Sequence, residues 1–132
     1  MKGKFSTREN HLPKPVFDAT EENCTAFAEW LEKKWAELPD ALPTLTAAQI
    51  SGHKAQKIRE LVKENVIMGI SVNGTQYIPK SDFIAYLSTP EKLASARTEV
   101  YKDLIREFKK RQARERENEI RRQKRKMARE LN

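Results

Sequence analysis

One segment, residues 45–87, contains most of what the sequence says about the fold, and it reads LTAAQISGHKAQKIRELVKENVIMGISVNGTQYIPKSDFIAYL. Apolar residues three and four positions apart predict two short helices in its first half. Thr46 is expected to cap the first helix, and the second runs from Lys54 to a left-handed stop at Asn65. Gly52 lies between them, where a reversing chain often needs a left-handed backbone that glycine adopts without strain. The segment therefore begins as two helices joined by a tight turn.

The second half of the segment predicts a β-hairpin. Asn73-Gly74 lies between two apolar, β-branched runs, and both central residues of a type I′ turn need positive φ. Ser81 or Asp82 is expected to begin another short helix whose apolar side chains close the core. Helix, tight turn, helix and hairpin wing, in this order, are typical of a small winged helix-turn-helix, whose second helix fits a DNA major groove.

We therefore predict a mainly α-helical fold: a small winged helix-turn-helix with a two-stranded hairpin, flanked by an N-terminal amphipathic helix and a long basic C-terminal helix. The expected organisation is a flexible arm at 1–17, the amphipathic helix at 18–38, the winged helix-turn-helix domain at 44–90 and the basic helix at 91–132. Two prolines mark residues 39–43 as a linker.

The N-terminal helix is predicted from an apolar stripe. Asp18 or Thr20 can cap the helix, and two glutamates suit its first turn. Its apolar residues recur at three- or four-residue spacing and comprise Cys24, Phe27, Leu31, Trp35 and Leu38. Trp30 lies beside this stripe and widens it. We interpret the stripe as core packing against the winged domain, with an intermolecular contact as the alternative.

The C-terminal region predicts a long helix, because no Gly or Pro occurs from Glu91 to Leu131. Its first half has a helical apolar stripe made of Leu93, Val100, Leu104, Ile105 and Phe108. Beyond Ala113 the stripe becomes too sparse for a sustained coiled-coil seam. The run at 121–126 contains mutually repulsive cations, so we expect this end to fray in solution and to become ordered on a polyanion.

Charge is distributed unevenly along the chain. Of its 132 residues 38% are hydrophobic and 34% are charged, and the net charge is +7. Residues 1–100 contain 13 Lys or Arg and 13 Asp or Glu, whereas residues 101–132 contain 13 and 6. A neutral body with a basic tail suggests a polyanionic partner, and nucleic acid is favoured over membrane because the tail has few large apolar residues. No apolar run approaches the roughly 18 residues that span a bilayer, so we expect a soluble, cytoplasmic protein. A nucleic-acid partner would make it nucleoid-associated.

Patterns typical of catalysis or metal binding do not occur in the sequence. His11, Cys24 and His53 have no metal-ligand spacing, and neither a Gly-rich phosphate loop nor a nucleophile motif is found. A single cysteine cannot form an intramolecular disulfide, which fits a reducing compartment. We therefore expect no enzyme activity, no cofactor and no small-molecule substrate.

Several motifs within residues 45–87 match a known pattern. They are LTAAQISG at 45–52, KIRELVKE at 57–64, VNG at 72–74 and YIPKSDF at 77–83. Together they resemble the excisionase-type helix-turn-helix, a small relative of the MerR DNA-binding domain. The resemblance implies a sequence-specific protein from a bacterial mobile element or phage, acting as a recombination directionality factor or a transcriptional regulator. Its implied partner is double-stranded DNA, together with a second copy of the chain or a recombinase.

The chain departs from the family pattern in two places. Members usually have a Val after the turn Gly and then a Ser-Arg-type start to the second helix, where this chain has His53, Lys54 and Ala55. The Arg typical of the wing is replaced by Thr75. Lys54 still provides a positive charge where the helix would enter the groove.

The resemblance places the outward face of the second helix in the major groove. Gln56 could pair with an adenine edge, while Lys57 or Arg59 could reach guanine acceptors. Lys63 and Lys80 are expected at phosphates, and three polar wing residues at the backbone or the neighbouring minor groove. The predicted DNA-binding residues are Lys54, Gln56, Lys57, Arg59 and Lys63 of the helix, Asn73, Thr75, Gln76 and Lys80 of the wing, and Arg121, Arg122, Lys124, Arg125 and Lys126 of the tail.

Other interpretations stay open. The helix face and the hairpin can be ordinary solvated surface, and the basic tail can be a solvated extension or a nuclear import signal. The chain can instead be a protein-interaction adaptor whose flanking helices bind a recombinase or a nucleoprotein complex. It can also be an RNA-binding accessory protein whose arginine-rich tail folds on RNA.

Overall fold

The computed structural model describes residues 17–131, so all but the last residue of the arm predicted at 1–17 lies outside the described residues. In chain order the elements are α1 (Glu21–Lys34), β1 (Ala41–Pro43), α2 (Thr44–Ser51), α3 (Ala55–Lys63), β2 (Ile70–Val72), β3 (Thr75–Pro79), α4 (Lys80–Leu87), α5 (Pro90–Ala94) and α6 (Glu99–Leu131). The described chain is mainly helical, with a small antiparallel sheet and a long C-terminal helix, which confirms the predicted fold class.

The sheet contains the predicted hairpin and one further strand. β2 and β3 pair through the Asn73-Gly74 turn, whose φ angles of 50° and 81° are both positive, as a type I′ turn requires. β1 pairs with the other edge of β3, with Leu42 opposite Ile78, in the order β1-β3-β2. The predicted linker at 39–43 therefore contains a third strand. Leu42 and Ile78 are both fully buried where β1 and β3 pair, so this pairing contributes to the core.

α2 and α3 are the two helices predicted around the tight turn. Gly52 ends α2 in the left-handed conformation with a φ of 78°, and Asn65 follows α3 with a φ of 61°, so both predicted left-handed positions are confirmed. α2 begins at Thr44, two residues before the predicted cap Thr46. The Thr44 hydroxyl donates to the carbonyl oxygen of Gln76 at 3.2 Å, which holds the first turn of the helix on β3.

The C-terminal region is divided into two helices, whereas one continuous helix was predicted. Pro90 opens α5, because a helix tolerates proline in its first turn, and the Thr89 hydroxyl caps α5 by accepting from the Lys92 amide at 3.2 Å. The Thr98 hydroxyl then accepts from the Tyr101 amide at 3.2 Å at the start of α6. The Thr98 hydroxyl pairs with a backbone amide that a continuous helix would satisfy by itself, so the helix breaks before Thr98 and restarts as α6.

The start of α6 is held against α2 and α4 by two hydrogen bonds. The Thr98 hydroxyl donates to the carbonyl oxygen of Ser51 at 2.8 Å, and the buried Tyr101 hydroxyl donates to the carbonyl oxygen of Leu87. Val100, which was predicted to belong to the apolar stripe, is 42% exposed, and Tyr101 takes the buried position. The first turns of α6 are therefore part of the same core as α2 and α4.

α1 packs on the first half of α6 through aromatic rings. The Phe27 ring lies edge-on to Tyr101, with centroids 6.3 Å apart, and to Phe108, with centroids 5.2 Å apart. Other buried members of the predicted stripe are Cys24, Leu31 and Trp35. Phe17, assigned to the arm from sequence, packs 6.1 Å from both the Phe27 and the Phe108 rings. The stripe is therefore core packing within the chain, and the rings on which it packs belong to α6, whereas the first interpretation placed the packing on the winged domain.

The second half of α6 extends away from this core. Its buried residues all lie in the first three turns, whereas every side chain from Ala113 to Leu131 is exposed. At 1.5 Å per residue the 33 residues of α6 span about 50 Å. Within residues 17–131, no helix has the length and apolar content that crossing a membrane requires.

Replacing Gly52 with alanine should destabilise the protein more than replacing Gly74 with alanine. Both glycines have positive φ, so each alanine should cost about 1–2 kcal/mol of backbone strain. A Cβ at position 52 would also lie 2.8 Å from Thr98 Oγ1 and 2.9 Å from Val100 Cβ, whereas a Cβ at position 74 meets nothing within 4 Å. Urea unfolding of both variants measures the difference, and equal losses would show that the start of α6 does not press on the turn.

Candidate nucleic-acid interface

The predicted recognition face of α3 is exposed. Ile58 and Leu61 point into the core with exposures of 0% and 4%. The side chains predicted to face DNA are all exposed and comprise Lys54, Gln56, Lys57, Arg59 and Lys63. Among residues 17–131, no carboxylate lies within ion-pair distance of the four cations in this set. None of the four therefore forms an ion pair within the described part of the chain, and the one carboxylate predicted on the same face, Glu60, is exposed as well.

The wing presents some of its predicted residues and not others. Asn73 and Thr75 are exposed at the tip of the hairpin. Gln76 is half-buried, and its side-chain oxygen lies 3.3 Å from the Thr44 hydroxyl, so it links β3 to α2. The outer strand β2 is exposed throughout, and its apolar Ile70 and Val72 side chains are 44% and 51% exposed.

Lys80 lies at a structural position that does not suit the predicted phosphate contact. Its ammonium donates to the carbonyl oxygens of Trp35 at 3.1 Å and Leu38 at 2.8 Å, and lies 3.8 Å from the Asp40 carboxylate. Trp35 is the C-cap of α1 and Leu38 lies in the turn that follows, and a lysine at the C-terminal end of a helix can bond such carbonyl oxygens and complement the helix dipole. Lys80 therefore fastens the end of α1 to the start of α4.

His53 and Lys92 form a polar contact beside the turn between α2 and α3. His53 Nε2 lies 2.9 Å from Lys92 Nζ, and the ammonium lies over the rings of Tyr86 at 5.5 Å and Tyr101 at 5.3 Å. Burial, with the charges of Lys92 and Lys57, lowers the pKa of His53 to about 4. The ring is therefore neutral at pH 7, and Nε2 accepts from the ammonium.

Lys92 and Arg97 were not among the residues predicted from sequence. Burial lowers the pKa of Lys92, and the positive charges of Lys57 and Arg97 lower it further. Only the tertiary fold brings α5 and the α5–α6 connection beside α3, because Lys92 follows Lys57 by 35 positions in the chain. No local pattern signals that approach.

The predicted basic tail lies on the exposed half of α6. Its cations are Arg121, Arg122, Lys124, Arg125 and Lys126, and all are exposed. Arg122 pairs with Glu119 on the same helix at 2.9 Å. Among residues 17–131 the other four tail cations form no ion pair, so the tail stays strongly basic. The fraying expected in solution stays a prediction.

Comparisons with known proteins add no relatives to this description. No family model, curated protein or solved structure matches the chain. Within residues 17–131, no three His, Cys, Asp or Glu side chains are grouped where they could hold a metal ion. The resemblance to the excisionase-type helix-turn-helix therefore stays a prediction from residues 45–87.

Stability should fall as the pH is lowered from about 6.5 to about 4 because of His53. Its folded-state pKa of about 4 lies below the ordinary value of 6.5, so the unfolded chain binds the proton first. The contribution is present in full above pH 6.5 and is lost as the pH falls to about 4. Urea unfolding across this range should give a flatter profile for His53→Gln, which keeps a hydrogen-bond acceptor. Parallel profiles for the two proteins would show that His53 titrates normally.

Replacing Lys80 with methionine should lower stability rather than weaken DNA binding. The variant removes the donor to the carbonyl oxygens of Trp35 and Leu38, in the turn that ends α1, at a cost of about 1–3 kcal/mol in the free energy of unfolding. Lys63→Met is the matched control, because Lys63 is exposed and should change stability by less than about 0.5 kcal/mol. A stable Lys80→Met variant that bound duplex DNA less tightly would restore the phosphate contact predicted from sequence.

Proposed function

We propose that this protein binds double-stranded DNA, with α3 in the major groove and the basic half of α6 on phosphates. It would act as an excisionase-type recombination factor or a small transcriptional regulator, associated with the bacterial nucleoid. The observation that carries the proposal is the exposed face of α3, on which four cations without carboxylate partners among the described residues follow a left-handed turn at Gly52.

The chemistry of this face suits direct reading of bases. A glutamine side chain can pair with both adenine N6 and N7, and a lysine or arginine can pair with guanine O6 and N7. Gln56, Lys57 and Arg59 lie in the first half of α3, the part of a recognition helix that contacts base edges. The hairpin tip at Asn73 and Thr75 is exposed and suits backbone contacts.

The basic half of α6 would supply affinity that does not depend on sequence. Residues 113–131 contain eight Lys or Arg and four Asp or Glu, and all their side chains are exposed. Each phosphate that such a cation neutralises releases a counterion, so binding weakens as salt rises. α3 and the tail would then have separable roles, the first in sequence preference and the second in affinity.

A protein-interaction adaptor is the second candidate, and the wing favours it. β2 is an outer strand of the sheet, and the exposed apolar residues in and before it are Val66, Met68, Ile70 and Val72. An outer strand with exposed apolar side chains can pair with a strand of another protein. A recombinase or a second copy of the chain would be the partner in that case.

Selection from a random duplex pool with the full-length protein should yield a preferred sequence, and two kinds of variant should affect binding to it differently. Lys57→Ala and Arg59→Ala should each cost about 1–3 kcal/mol of discrimination against other sequences. Replacing the five tail cations, Arg121, Arg122, Lys124, Arg125 and Lys126, with Gln should weaken binding to all duplexes alike. That replacement should also reduce the slope of log affinity against log salt by up to about 4.5.

The charge replacement keeps the chain at full length, because α6 contributes core residues as far as Phe108. Lys33→Gln, on the exposed surface of α1, is a control that removes one cation outside the proposed interface. Selection without any enrichment, together with tighter binding to structured RNA than to duplex, would contradict the proposal and favour the RNA-binding alternative. No binding to either nucleic acid would favour the adaptor.

A further inference from the structure

An open groove of about 600 Å³ lies between the start of α3 and the connection from α5 to α6. It is separate from the tail and was not predicted from sequence. The charged residues that line it are Lys54, Lys57, Glu60, Lys92 and Arg97, and the Tyr86 ring adds apolar surface. Four cations and one carboxylate therefore face the same space.

The cations of this groove form no direct ion pairs with carboxylates of the described residues. Among residues 17–131, none of Lys57, Lys92 and Arg97 lies within 4.0 Å of a carboxylate oxygen. The charges of Lys57 and Arg97 are close enough to Lys92 to lower its pKa. Like charges held together in a half-buried place repel one another, so a bound anion would relieve the repulsion and be held by all of them.

Lys92 is held in position before any ligand arrives. Its ammonium lies over the Tyr86 and Tyr101 rings at 5.5 Å and 5.3 Å and contacts His53 Nε2 at 2.9 Å. Most exposed lysines lose rotamer freedom when they bind a ligand, and that loss weakens binding. A lysine already fixed by rings and by an acceptor loses less.

The shape of the groove indicates a ligand that passes through rather than one that is enclosed. Pockets for small molecules bury most of the ligand surface, whereas this groove is open to solvent along the side of α3. Lys54, Gln56 and Lys57 line the groove and also belong to the exposed face of α3. A duplex that received α3 would therefore bring a backbone strand along this groove.

We propose that the groove is a phosphodiester site for the DNA strand beside α3, with Lys92 and Arg97 as its phosphate contacts and His53 as the residue that positions Lys92. This inference rests on the proposed function, because it takes the duplex to be the source of the phosphate. Phosphate contacts of this kind fix the register of a protein on the duplex without reading bases themselves. The groove would thus set how α3 enters the major groove.

The first test measures duplex affinity against salt for the full-length protein and for Arg97→Gln. Arg97 is exposed and makes no ion pair among the described residues, so its loss should leave the fold intact. The slope of log affinity against log salt should fall by about 0.9 for one lost phosphate contact. Lys33→Gln removes the same charge from α1 and should leave the slope unchanged. Thermal unfolding of both variants checks that they remain folded.

The second test follows the protonation of His53 by NMR as duplex is added. The chain has two histidines, so His53→Gln identifies the signal. In the free protein His53 should stay neutral between pH 5 and 7, since its pKa is about 4. A phosphate beside Lys92 should offset the positive charge and raise this pKa when duplex binds. Inorganic phosphate, in a parallel titration, tests whether a free anion fills the groove as well.

The outcomes separate this inference from the proposed function. A lower salt slope for Arg97→Gln, together with a raised His53 pKa on duplex, supports the groove as a phosphodiester site. An unchanged slope or an unchanged His53 pKa, while Arg59→Ala and the tail replacement still weaken binding, overturns the groove and leaves the function in place. Failure of the wild-type protein to bind duplex overturns both. A His53 response to inorganic phosphate and not to duplex would assign the groove to a free ligand and also overturn the inference.

Discussion

The packing of Phe27 against Tyr101 and Phe108 is the contact on which the rest of the structure depends. These rings join α1 to the first half of α6. The start of α6 is also hydrogen-bonded to α2 through Thr98 and to the end of α4 through Tyr101. A winged helix-turn-helix of 43 residues buries little surface by itself, so the two flanking helices enlarge its core. α6 is therefore a core helix in its first turns and a charged, exposed helix beyond them.

Local signals in the sequence predicted the left-handed turns and the elements around them. Gly52 and the Asn73-Gly74 pair marked changes of direction because few other residues adopt positive φ without strain. The strand β1 could not be predicted in this way, since a short segment with two prolines resembles a linker until it meets β3. The break before α6 was missed for a related reason. Thr98 caps that helix only because the Ser51 carbonyl oxygen holds its hydroxyl in place.

The residues of the candidate interface could likewise be predicted from the sequence only in part. Helical periodicity predicted the exposed face of α3, because one buried side of a short helix fixes which residues face outward. It could not show that Lys80 would meet the carbonyl oxygens of Trp35 and Leu38, which lie more than 40 positions earlier in the chain. Nor could it bring Lys92 to His53. The sequence shows that a lysine is charged, but only the tertiary fold determines whether that charge stabilises the protein or is available to bind a ligand.

Under the proposed function, the position of α6 also determines how the two basic surfaces, the exposed face of α3 and the tail, act together on one duplex. Its exposed part, residues 113–131, spans about 28 Å at 1.5 Å per residue, comparable with the roughly 34 Å helical turn of B-DNA. The hydrogen bonds of Thr98 and Tyr101 fix the direction of this helix relative to α3. A flexible basic tail would add affinity in every orientation of the duplex. A continuous helix anchored beside the turn adds most in the orientation that brings phosphates along its length, so the charge of the tail would help to select how α3 meets the major groove.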